Sequence, residues 1–307
     1  MLHNDSELFE QIILRTAEET GLDAAVVEKD YYVTLFLKRI TEKEQNIIFR
    51  GGTSLSKCYG LIDRFSEDID LGIGTDSHPT EGTRRNIKNS IVSVIDGMGL
   101  ELGNPEDIRS RRDYNRYEIV YPSKFGVGYL KQHLAVETAM FMRVFPVERK
   151  KISCFAYEFL IRNGYDDIAE ENELRPFELT VQSAARTLAD KIFALCDYYM
   201  SQKTDEHSRH IYDICKLTKV IDLNENFSEL IAQVRDDRSS HRVCLSAQPD
   251  VSINNILEEI VKTGAFRADY EKRTEKLLFK KMSYETAIEA LTEIVDSGVM
   301  KRRKESR

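Results

Sequence analysis

The chain has 307 residues, 41% hydrophobic and 31% charged, which is enough for a sizeable core and two domains and too apolar for a disordered protein. A formal net charge of −8 argues against a generic nucleic-acid coat, while a local basic surface stays compatible with it because screening makes charge a matter of patches. The 5 cysteines are scattered without a CxxC pair, so neither a disulfide framework nor a cysteine zinc site is indicated, and no apolar run approaches the length of a membrane span.

The opening MLHNDSELFEQ has neither a basic n-region nor an apolar h-region, so a cytoplasmic chain is expected. Apolar residues at spacings of three and four predict helices over 7–20 and 22–39, the second with Asp23 as N-cap. IIFR (Ile47–Arg50) is short, β-branched and stops at Gly51-Gly52, the pattern of a buried strand entering a tight turn. A short helix over 54–59, a strand over DIDLGI (68–73) and a long helix over 80–98 should follow. YNRYEIVYPS and YLKQHLAVETAMF read as further strands, the second alternating around Val136-Glu137-Thr138. The acidic, proline-ended DDIAEENELRP marks the expected join between a domain over 1–165 and one over 166–307. Beyond Phe177 the pattern is almost wholly helical, with helices predicted over 183–200, 208–220, 226–238, 252–262 and 284–295. The fold class expected is α+β: an N-terminal mixed sheet flanked by helices, then a C-terminal helical bundle.

FRGGTSLSKCYGLIDRFSEDIDLGI concentrates the chemistry. A strand followed by Gly51, Gly52 and the hydroxyl of Thr53 at the start of a helix offers free N–H groups to an anion. It is not a P-loop, because Ser56 stands where a glycine must precede Lys57. In a strand Asp68 and Asp70 share one face, and two adjacent carboxylates repel unless a cation lies between them. Mg2+ commonly takes one or two carboxylates plus substrate phosphates, and Glu137, on an otherwise apolar strand, is the best candidate for a third ligand. Singly, each piece has a plain structural explanation, a turn or a solvated strand end. Further on, IRSRRDYNRYE packs Arg109, Arg111, Arg112 and Arg116 with Tyr114 and Tyr117, suited to RNA phosphates and stacking or simply to a charged hairpin.

Gly with a small hydroxyl, a spacer, then Asp-apolar-Asp-apolar resembles the signature of the nucleotidyltransferase superfamily. The wider wording, EKDYYVT, FRGGTSLSK, RFSEDIDL, LADKIFAL and SRHIYDI, resembles the AbiEii/AbiGii toxin family of nucleotidyltransferases. The resemblance implies a nucleotidyltransferase-type sheet in the first domain and an enzyme that uses Mg2+, or Mn2+, to move a nucleoside monophosphate from a nucleoside triphosphate. The acceptor it favours is RNA, tRNA above all, and the role it implies is the toxin of an abortive-infection or toxin–antitoxin pair acting in phage defence beside a cognate antitoxin. Asp68, Asp70, Lys191 and Asp213 become the catalytic set, with Asp68, Asp70 and Glu137 on metal. Gly51, Gly52, Thr53, Lys57, Ser66 and Lys191 become the nucleotide-binding set. Without the resemblance, Lys191 reads as a solvated lysine and Asp213 as a surface ion-pair partner of Arg209, four residues away on one helix. Two alternatives stand beside this reading: transfer to a protein or an antibiotic-like small molecule, and a module that grips nucleotide without turnover.

Overall fold

The computed structural model describes residues 1–64, 66, 68–74, 79–126 and 133–301. Two compact units emerge, Met1–Cys58 with Glu67–Val181, and Tyr59–Ser66 with Gln182–Arg307.

In the first unit, helix α1 (Ser6–Thr20) begins at Asp5, whose carboxylate accepts the Leu8 N–H at 3.0 Å. Helix α2 (Ala24–Lys43) is capped by Asp23, which accepts from Ala25 N at 2.8 Å. Almost every side of α2 is buried, and its Tyr31 and Tyr32 pack against Phe9 of α1. The described strands are β1 (Ile47–Arg50), β2 (Asp68–Ile73), β3 (Glu101–Leu102), β4 (Tyr114–Val120), β5 (His133–Ala139), β6 (Val147–Ile152) and β7 (Phe177–Gln182). They form one mixed sheet in the order β3-β4-β5-β2-β1-β7-β6. At its centre β2 runs antiparallel to β1 and parallel to β5, while β4 is antiparallel to β5. Helix α3 (Gly51–Lys57) joins β1 to the segment before β2, and α4 (Glu81–Gly97) starts at Thr80, whose hydroxyl accepts from Thr83 N at 3.1 Å. Residues 129–132 of the expected strand YLKQHLAVETAMF lie outside the described residues.

The division falls after Val181, later than the acidic segment expected to mark it. That segment forms a short helix (Asp166–Glu171) packed on helix α5 (Phe155–Arg162), and β7 then returns the chain to the sheet, with Val181 beside Phe49 of β1. The α+β class holds.

The helical unit contains α6 (Ala184–Met200), α7 (Arg209–Thr218), α8 (Glu225–Ser239), α9 (Ile253–Thr263) and a last helix, Tyr284–Ser297. Ser183 caps α6 by accepting from Arg186 N at 3.2 Å, and α7 packs against both α6 and the last helix. Residues 59–66 count with this unit for visible reasons. Asp63 N donates to Tyr212 Oη at 3.1 Å, the Asp63 carbonyl accepts from Phe279 N at 2.9 Å, and Lys216 Nζ lies 2.9 Å from Asp63 Oδ2.

Candidate active site

Period-two alternation builds the carboxylate strand. Ile69 and Leu71 of β2 are buried, and Asp68 and Asp70 are half-buried on the opposite face. Parallel register sets Asp70 beside Glu137 of β5. On the flanks, Arg50 of β1 pairs with Asp70 and Arg116 of β4 pairs with Glu137. One row across four strands therefore runs Arg50, Asp70, Glu137, Arg116, with the carboxylates inside and the cations outside.

Arg116 Nη1 donates to Glu137 Oε1 at 2.9 Å, and its Nε lies 3.5 Å from Glu118 Oε1. Burial opposes the Arg116 charge, but Glu137 and then Asp68 hold its pKa above the ordinary guanidinium value. Tyr114 belongs to the same group: burial, then the Glu137 charge and a hydrogen bond to it, raise the phenol pKa.

Next to Asp70 the chain turns at Gly51, whose φ of 79° lies in the left-handed region. A Cβ at Gly51 would overlap Asp70 Oδ2, so the absent side chain is the space the carboxylate fills. Thr53 Oγ1 donates to the Asp68 carbonyl at 2.5 Å, which ties the turn to β2. Ser54 and Ser56 turn their hydroxyls back on the Gly51 and Thr53 carbonyls at 2.8 and 3.0 Å. Gly51→Ala is expected to cost about 1–3 kcal/mol, the penalty for a side chain in strained backbone, and chemical denaturation of both proteins checks it.

The donors on this face are hard oxygens, the set that suits Mg2+ or Mn2+, and Asp68 and Asp70 are the pair that would hold such an ion. Among the described residues no group of three or more His, Cys, Asp or Glu is arranged to hold a metal ion. Glu137, the expected third ligand, is engaged by Arg116.

A second charged group sits inside the helical unit. Lys191 of α6 places Nζ 2.6 Å from Asp213 Oδ2 of α7. Arg64 grips the same carboxylate with two forked bonds, Nε to Oδ1 and Nη2 to Oδ2, both 2.7 Å. All three side chains are buried. Burial alone would raise the Asp213 carboxyl, yet Arg64 and Lys191 outweigh it and hold it well below the usual carboxylate range. Burial lowers the Lys191 ammonium, Asp213 opposes that, and Arg64 adds like-charge repulsion. Two cations thus share the Asp213 carboxylate in a poorly solvated place.

The sequence finds its relatives on these same elements. A family model described as "Nucleotidyl transferase AbiEii toxin, Type IV TA system" matches residues 35–294. The chain belongs to the AbiEii nucleotidyltransferase toxin family. No curated protein matches it. The matched span contains Gly51, both β2 aspartates, Glu137, Lys191 and Asp213, and leaves EKDYYVT outside. AbiEii toxins belong to toxin–antitoxin systems, so an antitoxin is the implied partner. Among the described residues no helix is long and apolar enough to cross a membrane.

Other residues of the AbiEii chain named from its sequence, and their neighbours, are held as follows. Lys57 Nζ is held by Asp30 Oδ1 at 2.5 Å and by the Ser153 carbonyl at 3.1 Å. Asp30 also accepts from Phe155 N at 2.9 Å, so this carboxylate joins α2 to α3 and to the start of α5. Glu28, buried with its pKa raised by desolvation, accepts from Ser123 Oγ at 2.7 Å and Lys124 N at 2.8 Å. Ser66 is half-buried at the end of the segment that counts with the helical unit. Tyr117, expected on an RNA-facing surface, is buried, because its position along β4 points to the face opposite Tyr114 and Arg116. Asp213 is no surface partner of Arg209; it is wholly buried against Arg64. His210 is kept neutral: burial, then Lys191 and Arg209, push its pKa well below the ordinary imidazole value. Arg64 is the functional candidate absent from the sequence expectations, and its one signal was its place at the head of RFSEDIDL.

Proposed function

We propose that the chain transfers a nucleoside monophosphate from a nucleoside triphosphate to RNA, a tRNA in first place, and so arrests growth in defence against phage. The observation that carries the reading is the sheet face on which Asp68 and Asp70 stand together, with Glu137 in register beside Asp70 and Gly51 cleared for the Asp70 carboxylate. The acceptor hydroxyl oxygen bonds to the α-phosphorus and gives up its proton to solvent as the bond to pyrophosphate breaks. A divalent cation held by Asp68 and Asp70, with Glu137 joining them once Arg116 lets it go, would offset the charge on the transferring phosphate and the departing pyrophosphate.

The chain's own groups do the rest. Gly51, Gly52 and Thr53 offer backbone N–H groups to phosphate, since the Thr53 hydroxyl is already committed to β2. Arg116 and Tyr114 hold Glu137 in place until it is needed and keep its charge compensated meanwhile. Asp213 orients Lys191 and favours its charged form, and that ammonium is the group this reading assigns to a triphosphate oxygen. Asp213 itself is too firmly held by Arg64 to act as a base. A cytoplasmic location follows from the substrates this reading requires.

Incubation with each α-labelled nucleoside triphosphate, Mg2+, total RNA and cell protein tests the assignment. Label is expected on RNA. Label on protein or on a small molecule would replace the acceptor, and no label would leave a nucleotide-binding module.

A further inference from the structure

A groove of about 620 Å3 lies in the sheet unit, lined by the first half of α4 and the loop that precedes β4. Its walls carry the cations Arg85, Lys88, Arg109, Arg111 and Arg112 against a single carboxylate, Glu81. The loop is braced from within. Arg84, half-buried, donates through Nη1 to Asp113 Oδ1 at 3.0 Å and to the Pro79 carbonyl at 2.7 Å. Buried Asn115 accepts from Arg109 N at 2.8 Å and donates to the Arg109 carbonyl at 3.1 Å. Arg109 and Arg112 each spend one Nη1 bond on loop carbonyls, Ile108 at 3.0 Å and Asp107 at 3.1 Å. Glu81 reaches Arg85 at 3.6 Å and Arg111 at 3.9 Å, but the Arg111 side chain is 90% exposed, so solvent screens these pairs.

We propose that this groove grips the phosphate backbone of the RNA acceptor, a proposal that rests on the nucleotidyltransferase reading above. Four of the five cations are arginines, whose forked donors match phosphate oxygens. The lining includes one apolar side chain, Ile108, and no aromatic ring, so it offers charge rather than an aromatic platform for a base. A strand of repeating phosphates can engage several of the five cations at once, which a lone nucleotide cannot. The loop runs straight into β4, whose Tyr114 and Arg116 stand on the face of Asp70 and Glu137. Groove and carboxylate face are thus joined by the short stretch of chain from Arg112 to Tyr114. In a chain of net charge −8, such a basic stretch opposes the prevailing field and concentrates polyanion at one place.

The test uses the full chain and a fluorescein-labelled tRNA mixture, with anisotropy followed between roughly 50 and 300 mM salt. The variants are Arg85→Ala/Lys88→Ala and Arg111→Ala/Arg112→Ala. Each double variant should weaken binding by about tenfold or more and reduce the slope of log affinity against log salt by roughly 1.5, two phosphate contacts' worth. Affinity for a nucleoside triphosphate should hold. Wild-type affinity and slope in both variants would overturn the proposal, as would a wild-type chain that does not bind tRNA. Polyglutamate of matched charge that competes as well as unlabelled tRNA would overturn it in favour of an acidic polypeptide. Binding is read without turnover, so an Asp70→Asn chain separates the two levels. If it keeps tRNA binding and loses transfer while the groove variants bind normally, the groove fails and the chemistry stands; if it still transfers, the chemistry fails first.

Discussion

Asp68→Asn and Asp70→Asn should each lower nucleotide transfer on the order of a thousandfold, the several kcal/mol a metal-held phosphate gains in the transition state. Melting temperature should hardly move in either variant. The sheet face explains the contrast. Asp70 stands between Glu137 and Arg50, so neutralising it trades a repulsion against an attraction, while Ile69 and Leu71 keep the strand in the core. Asp68 sits two residues along, beside Ala135, and is felt by Arg116. Its loss removes some attraction, and Glu137 still holds the arginine. Undiminished Mg2+-dependent turnover in either variant would remove the β2 aspartates from the mechanism.

Asp213→Ala should show the reverse balance, with stability lost first. The change leaves Arg64 and Lys191 buried side by side without their carboxylate, and breaking a buried ion group in this way costs about 3–5 kcal/mol. Lys191→Ala leaves Asp213 with both Arg64 bonds, so it should cost less stability and instead slow transfer. Lys191→Arg keeps the charge but changes reach and donor geometry, and should rescue only in part. The pH dependence has a definite sign. The folded carboxyl of Asp213 lies below its ordinary 3.8, so its contribution is complete above that value and fades as pH falls beneath it. Denaturation of the three variants beside wild type, at neutral pH and near pH 3, measures both effects. An Asp213→Ala chain that unfolds like wild type would show that the buried carboxylate is not what holds the two cations.

The parts of this account legible in the sequence are those set by short-range rules. Period-two alternation in DIDLGI and the Gly-Gly break marked the strand, its turn and the shared face of the two aspartates, and the cap Asp23 marked a helix start. Glu137 could be nominated by its odd position on an apolar strand, while its place beside Asp70 is a fact of pairing between strands far apart in sequence. β6 carries VERKKI with most residues exposed, so no hydrophobic alternation announces it, and β7 lies directly before α6, whose stronger helical pattern absorbed it. Arg64 meets Asp213 across 149 residues, beyond any window of local spacing. Tyr117 differs in kind: its parity along β4 sets it opposite Tyr114, so the rule that found Asp68 and Asp70 would also have removed it from the surface.

The central claim is that this chain moves a nucleotide, and the fate of the two ends of the triphosphate decides it. Parallel reactions with α-labelled and γ-labelled nucleoside triphosphate, each with tRNA and Mg2+, should put α-label on the RNA and γ-label in free pyrophosphate, in equal amounts. The Asp70→Asn chain should do neither. Label from the γ position on any acceptor, or γ-label released as inorganic phosphate with none of the α-label bound, would contradict the account.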